Sequence, residues 1–229
     1  MAERLGGLAF PHFVVPLSKP GLQDLPKLAK PAGSMRDFPP AGTTILPTGI
    51  EFFGSRTDQR KVCYLVDCSG SMQGIFGQVR KELDESIRNL QPDQYFYIIF
   101  FGGDRLFEFG DGRLVRAAPQ AKSAAHNFIN SVQPAGRTNA LAALERTVQI
   151  RDDSGVSPAV VYFLTDGFEL TGEDTHRFSQ KIANLLKRFA PTTRINTIGF
   201  WPTSQDRRLL ETIARRSGGE FVSVTDSNG

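Results

Sequence analysis

Val62-Cys63-Tyr64-Leu65-Val66-Asp67-Cys68-Ser69-Gly70-Ser71 is the stretch whose reading decides the fold. An unbroken apolar run from Val62 to Val66 is the pattern of a strand buried on both faces, as in a parallel sheet covered by helices, not of a half-wetted antiparallel strand. The run ends in one carboxylate and two hydroxyls on a tight turn, Asp67, Ser69 and Ser71. Oxygen donors so spaced suit a hard cation. Just downstream Ile75, Phe76, Val79, Leu83, Ile87 and Leu90 recur at helical spacing up to Pro92, so the turn leads into a helix.

The same alternation continues along the chain. Tyr95–Phe101 reads as another buried strand, and Leu106–Phe109, bounded by Gly103-Asp104 and Gly110-Asp111-Gly112, as a short edge strand returning antiparallel to it. Ala121, Ala124, Ala125, Phe128, Ile129 and Val132 mark a helix, and Leu141, Leu144 and Val148 mark one that begins after Thr138-Asn139. Ala159–Thr165 is a strand, Phe178, Ile182, Leu185, Leu186 and Phe189 form a long helical stripe, and Arg194–Phe200 is a strand again. Leu209, Leu210, Ile213 and Ala214 make a last helix, stopped by Gly218-Gly219 before a strand at Phe221–Val224. These stripes are core.

Strands alternating with helices predict an α/β fold: a doubly wound, mostly parallel central sheet with one short antiparallel edge strand and helices on both faces. Such sheets bind ligands at the carboxyl ends of their strands, where the strand order reverses. Asp67 and Asp166 both sit at such ends. If the first strand is central, those ends are neighbours, and the Gly136-Arg137-Thr138-Asn139 loop can lie over them.

A chain of 229 residues with 40% hydrophobic content and 18 Phe can bury a substantial core. Residues 1–48 carry Pro11, Pro16, Pro20, Pro26, Pro31, Pro39, Pro40 and Pro47, which excludes long helices and central strands and reads as an N-terminal arm or linker before a domain at 49–229. The formal net charge is +3, and the pairs Lys187-Arg188, Arg207-Arg208 and Arg215-Arg216 fall on helix surfaces. Scattered in this way they are solvated faces, so nucleic acid is not an expected partner. If Cys63 and Cys68 lie on or just beyond one extended strand they are roughly 15 Å apart, beyond disulfide reach. His12, His126 and His176 lack zinc-ligand spacing. The patch from Leu5 to Val15 is interrupted by Pro11 and His12 and makes a poor signal peptide, and no run approaches the ~20 apolar residues of a membrane span. The chain as given is expected to be soluble, cytoplasmic or a fragment of an envelope-anchored protein.

Asp67, Ser69, Ser71, Thr138 and Asp166 form a hydroxyl-rich, carboxylate-poor donor set, which suits Mg²⁺ or Mn²⁺ better than Ca²⁺. With few anionic ligands the ion stays electrophilic. A Glu or Asp side chain presented by a partner protein could then replace a water on it, which is recognition rather than reaction. These same residues could instead cap helices and turns, because Ser, Thr and Asp are frequent N-caps.

Asp67-x-Ser69-x-Ser71, Thr138 in Gly-x-Thr-Asn and Asp166 in Thr-Asp-Gly together resemble the metal-ion-dependent adhesion site of von Willebrand factor type A domains, over about residues 60 to 225. Phe52-Phe53-Gly54 followed by a strand into Asp-x-Ser-Gly-Ser-Met further resembles bacterial stand-alone members. The resemblance implies a metal at the upper edge of the sheet, direct coordination by Ser69 and Ser71, and Thr138 and Asp166 exchanging direct and water-mediated roles. It also implies a non-enzymatic, divalent-cation-dependent protein-binding module for adhesion or scaffolding. Two alternatives are a metal-assisted phosphatase or hydrolase, which lacks a placed general base because Glu169 and His176 follow Asp166 with no motif around them, and an ATPase-associated scaffold subunit docking through the N-terminal arm.

Overall fold

A computed structural model describes residues 49–103, 105–168 and 172–225, the side chains of Gly172 and Glu173 excepted. The Pro-rich stretch 1–48 lies outside the described residues. The chain enters through a hairpin, β1 (Ile50–Phe52) and β2 (Ser55–Thr57), and continues into β3 (Lys61–Asp67). A 3₁₀ turn at Gly70–Gly74 leads to α1 (Phe76–Arg88), then β4 (Tyr95–Gly102), β5 (Arg105–Phe109), β6 (Val115–Arg116) and α2 (Pro119–Ser131). The second half runs α3 (Ala140–Thr147), β7 (Val160–Thr165), α4 (Gly172–Phe189), β8 (Arg194–Phe200), α5 (Ser204–Ser217) and β9 (Phe221–Val224).

Among the described residues the main sheet has seven strands, ordered β5-β4-β3-β7-β8-β9 with β6 also on β4. Pairings from β4 to β9 are parallel, while β5 and β6 run antiparallel to β4. The fold is thus the doubly wound α/β architecture read from the sequence, with a second antiparallel segment that periodicity did not show. Val115-Arg116 is too short to display a period of two, and it pairs because the chain runs back along the start of β4 (Tyr95↔Arg116) to reach α2.

Alternation along β3 sorts the core. Val62, Tyr64 and Val66 face α1, α2 and the hairpin, whereas Cys63 and Leu65 face α3, α4 and α5. Both faces are covered, which is why the strand is apolar throughout. The hairpin docks through Phe52, 1% exposed, whose ring meets Tyr64 and Tyr162 edge-on at 5.3 and 5.7 Å. Burying one such ring contributes about 1.5–3 kcal/mol. Tyr162 Oη also donates to Ile50 O at 3.0 Å.

Strand order reverses at β3: the chain leaves it toward β4 on one side and later adds β7 on the other. The carboxyl ends of β3 and β7 therefore lie side by side in the middle of the sheet edge. That is where the candidate residues gather.

Candidate metal centre

Register fixes the first contact. Val66 lies beside Leu164 and Asp67 beside Phe101, so Asp67 is set next to Thr165 at the end of β7. Thr165 Oγ1 lies 2.6 Å from Asp67 Oδ2 and 2.8 Å from Gly167 O. A hydroxyl has one proton, and the carboxylate is the stronger acceptor. The other oxygen, Asp67 Oδ1, accepts from the Ser69 amide at 2.8 Å. Asp67 is 0% exposed, and burial pushes its carboxyl up to about 6, against the lowering effect of the Thr165 and Ser69 hydrogen bonds and with the nearby Asp166 charge adding to the rise.

Ser69 is buried and Ser71 exposed, and their hydroxyls share a hydrogen bond, with the Oγ atoms 3.0 Å apart. Two oxygens held at about 2.1 Å from Mg²⁺ on adjacent octahedral vertices are about 3.0 Å from each other. The separation of this hydrogen-bonded pair is also the one a small octahedral cation needs.

The Thr138 loop is stitched to this turn by backbone. Ala135 N donates to Cys68 O at 2.8 Å, Gly70 N to Gly136 O at 2.9 Å and Gly103 N to Arg137 O at 2.6 Å. Such close approach needs glycine: Gly136 sits at φ +78°, and a Cβ there would lie 2.6 Å from Gly103 Cα. Arg80, stacked on Phe76, donates to Val132 O and ties α1 to the start of the loop. Thr138 follows, half-buried, and Asn139 caps α3 by accepting from Ala142 N at 3.4 Å.

Capping therefore does not account for these hydroxyls. Asn139, not Thr138, is the N-cap of α3, and Ser69 at the N-cap of the 3₁₀ turn makes no side-chain capping bond. Asp166 is half-buried on the turn after β7, close enough to Asp67 for its charge to be felt. Register and loops bring Asp67, Ser69, Ser71 and Asp166 together and place the Thr138 loop against them. Among the described residues no three His, Cys, Asp or Glu side chains cluster as a metal site. The candidate donors are instead two carboxylates and three hydroxyls, residue types whose chemistry suits a hard, small divalent ion.

Sequence reasoning gave Thr165 no role, although Thr-Asp-Gly contained it. It also missed Asp206, in the first turn of α5, which accepts from Phe168 N at 3.2 Å, just past Asp166. Cys68 is buried, its thiol pushed up to about 12 by burial, with the Asp67 charge adding, so it packs rather than reacts. Of the two residues that follow Asp166 without a motif, Glu169 lies outside the described residues, and His176 lines a groove between α4 and α5 with Arg208 and Arg215.

Comparison with known proteins identifies the family and the fold. The sequence pattern described as "von Willebrand factor type A domain" matches residues 60–222. Inter-alpha-trypsin inhibitor heavy chain H1 of Bos taurus is 29% identical over 178 residues, 74% of this chain. The match spans 19% of that protein, so the chain corresponds to a small part of these curated relatives. A von Willebrand factor type A structure from Catenulispora acidiphila superposes with a TM-score of 0.58 at 22% identity, covering 75% of this chain and 40% of that one. Proximal thread matrix protein 1 from the mussel byssus, described with a zinc-occupied MIDAS motif, superposes with a TM-score of 0.52 at 19% identity, covering 71% of this chain and 40% of that one. At these identities the superpositions speak for the fold alone.

Proposed function

The chain belongs to the von Willebrand factor type A family, and from that premise we propose that it is a divalent-cation-dependent protein-binding module without catalytic activity of its own. Domains of this family are often metal-dependent interaction modules. The observation that carries the reading is the Ser69 Oγ and Ser71 Oγ pair, 3.0 Å apart beside a buried Asp67 whose two oxygens are both hydrogen-bonded.

In this reading Ser69 and Ser71 would hold the ion directly, and Asp67 would hold the serine turn through the Ser69 amide. Thr138 and Asp166 complete the donor set from the neighbouring loops. A bound Mg²⁺ or Mn²⁺ supplies an electrophilic position for one carboxylate oxygen of a Glu or Asp on a partner protein. The chain's own donors are mostly neutral, so the partner's charge adds to metal affinity, and metal and partner bind cooperatively. The zinc-occupied motif of the mussel protein supports metal binding at this kind of site. Mg²⁺ or Mn²⁺ is favoured here because oxygen donors outnumber the nitrogen and sulfur donors that zinc prefers.

We assign residues 49–229 to the binding domain and 1–48 to a Pro-rich arm. No helix among the described residues is long and apolar enough to cross a membrane. The hydrolase and arm-docking alternatives gain no observation in their favour.

Calorimetric titration of Mg²⁺ and Mn²⁺ into wild type and a Ser69→Ala/Ser71→Ala variant tests the reading. Saturable binding in wild type, lost in the variant, is expected. No saturable binding of either ion by wild type would overturn it.

A further inference from the structure

Asp166 sits on a turn that is held from both sides by buried carboxylates of other elements. On the upstream side Asp67 Oδ2 receives Thr165 Oγ1 at 2.6 Å. Downstream, Asp206 of α5 is 7% exposed, and its Oδ1 accepts from Phe168 N at 3.2 Å. A Cβ on Gly167 would come within 3.2 Å of Asp206 Oδ2, so this carboxylate lies directly against the turn.

Helix capping alone does not explain that placement. Thr203 and Asp206 form a reciprocal cap: Asp206 N donates to Thr203 Oγ1 at 3.2 Å, and Thr203 Oγ1 donates to Asp206 Oδ2 at 2.6 Å. The cap uses Oδ2 and leaves Oδ1, which is directed out of the helix to the Phe168 amide. The helix behind it is rigidly seated, with Leu209, Leu210 and Ile213 buried and Leu210 O accepting from Thr197 Oγ1 at 3.0 Å. Phe168 in turn packs on Phe163 and Phe178.

We propose that Asp206 is a positioning residue for the metal centre: its second carboxylate oxygen anchors the Thr165-Asp166-Gly167-Phe168 turn to α5 and so holds Asp166 within reach of the ion. The inference rests on the metal-binding reading above. Ligand groups perform only when the elements that support them are fixed, and a turn anchored at one end alone lets its central side chain drift.

Calorimetric titration with Mn²⁺ alone, with melting temperature recorded on metal-free protein, separates the possibilities across wild type, Thr203→Ala, Asp206→Ala and Asp206→Asn. Thr203→Ala breaks the cap and leaves Oδ1 on Phe168, so it should lower the melting temperature and leave Mn²⁺ affinity within about twofold. Asp206→Ala should lower both, with affinity about tenfold weaker, the factor that about 1.4 kcal/mol represents. Asp206→Asn keeps an acceptor for Phe168 and a donor for Thr203, and should restore affinity to within about threefold of wild type. If Asp206→Ala binds Mn²⁺ as wild type does, Asp206 is a cap and the inference falls. If Asp206→Asn is as weak as Asp206→Ala, charge rather than anchoring acts, and the inference also falls. Absence of saturable Mn²⁺ binding by wild type overturns the site itself and this inference with it, whereas wild-type binding with unchanged Asp206→Ala affinity overturns only the second.

Discussion

Asp67 and Asp166 end neighbouring strands of one sheet, yet the protein treats the two carboxylates differently. Asp67 is wholly buried, receives one hydrogen bond on each oxygen and is pushed up to about 6 by its surroundings. Asp166 is half-buried, on a turn whose flanking residues, not its own side chain, make the anchoring bonds. The first carboxylate is built into the scaffold and organises the serine turn. The second is held at the rim, where in the proposed function it would meet an ion directly or through water. Burial thus separates an organising role from an adjustable one within a single motif.

The largest effect is expected from Asp67→Asn. The amide can still accept from Ser69 N and donate to Thr165 Oγ1, so the turn survives, but the charge is lost. Mn²⁺ affinity should fall by about a hundredfold or more in calorimetry, while metal-free protein at pH 7.5 should melt higher than wild type, because an unneutralised buried charge has been removed. A lower melting temperature would mean that the carboxylate is not strained in the metal-free state.

Next comes pH. The folded Asp67 carboxyl keeps its proton up to about 6, whereas an unfolded aspartate releases it near ~3.9. The contribution is stabilising below the unfolded value and is lost as pH rises through the folded one. Metal-free wild type should therefore lose on the order of 2–3 kcal/mol relative to Asp67→Asn between about pH 4 and pH 7. Denaturant midpoints of the two proteins measured in EDTA across that range check this, and parallel curves would refute it.

Gly136→Ala acts on the third loop rather than on either carboxylate. Its Cβ would press on Gly103 Cα at 2.6 Å from a backbone at φ +78°, so we expect about 2 kcal/mol of destabilisation and weaker metal binding together. Asp166→Ala should be the mildest for the fold, within about 0.5 kcal/mol by denaturant unfolding, while still weakening Mn²⁺ binding about tenfold. A stability loss comparable to that of Gly136→Ala would erase the distinction between the two carboxylates.

The elements legible in the sequence were those whose burial is symmetrical or strongly periodic. β3, β4 and β7 carry long apolar runs because helices cover both faces, β8 is buried with Ile195, Ile198 and Phe200 in the core, and α1, α4 and α5 carry clear stripes. The β1–β2 hairpin was not legible. Its strands are three residues each, and its turn places Phe53 at φ +48° beside Gly54 at φ +79°, where the usual signal would be Asn or Gly in both positions. That conformation is offset by packing, since Phe53 lies 5.0 Å from both Phe52 and Phe200.

Asp67, Ser69, Ser71, Thr138 and Asp166 could be nominated from the chain because donor type and position at strand ends are local properties. That the ends of β3 and β7 would be neighbours also followed from alternation, provided the first strand of the sheet was central, as the strand order shows it to be. Tertiary structure alone decided which residues support them. Thr165 Oγ1 reaches Asp67 only because β3 and β7 pair in one register, and Asp206 reaches Phe168 only because α5 packs on β8, the strand beside β7, and so brings its first turn to the residues that follow β7. Thr203-x-x-Asp206 reads in sequence as a helix cap, and it is one. The second oxygen's partner lies 38 residues away, a distance that no local pattern spans. Periodicity encodes which face an element buries, whereas the partner of a single polar atom depends on how two such faces meet.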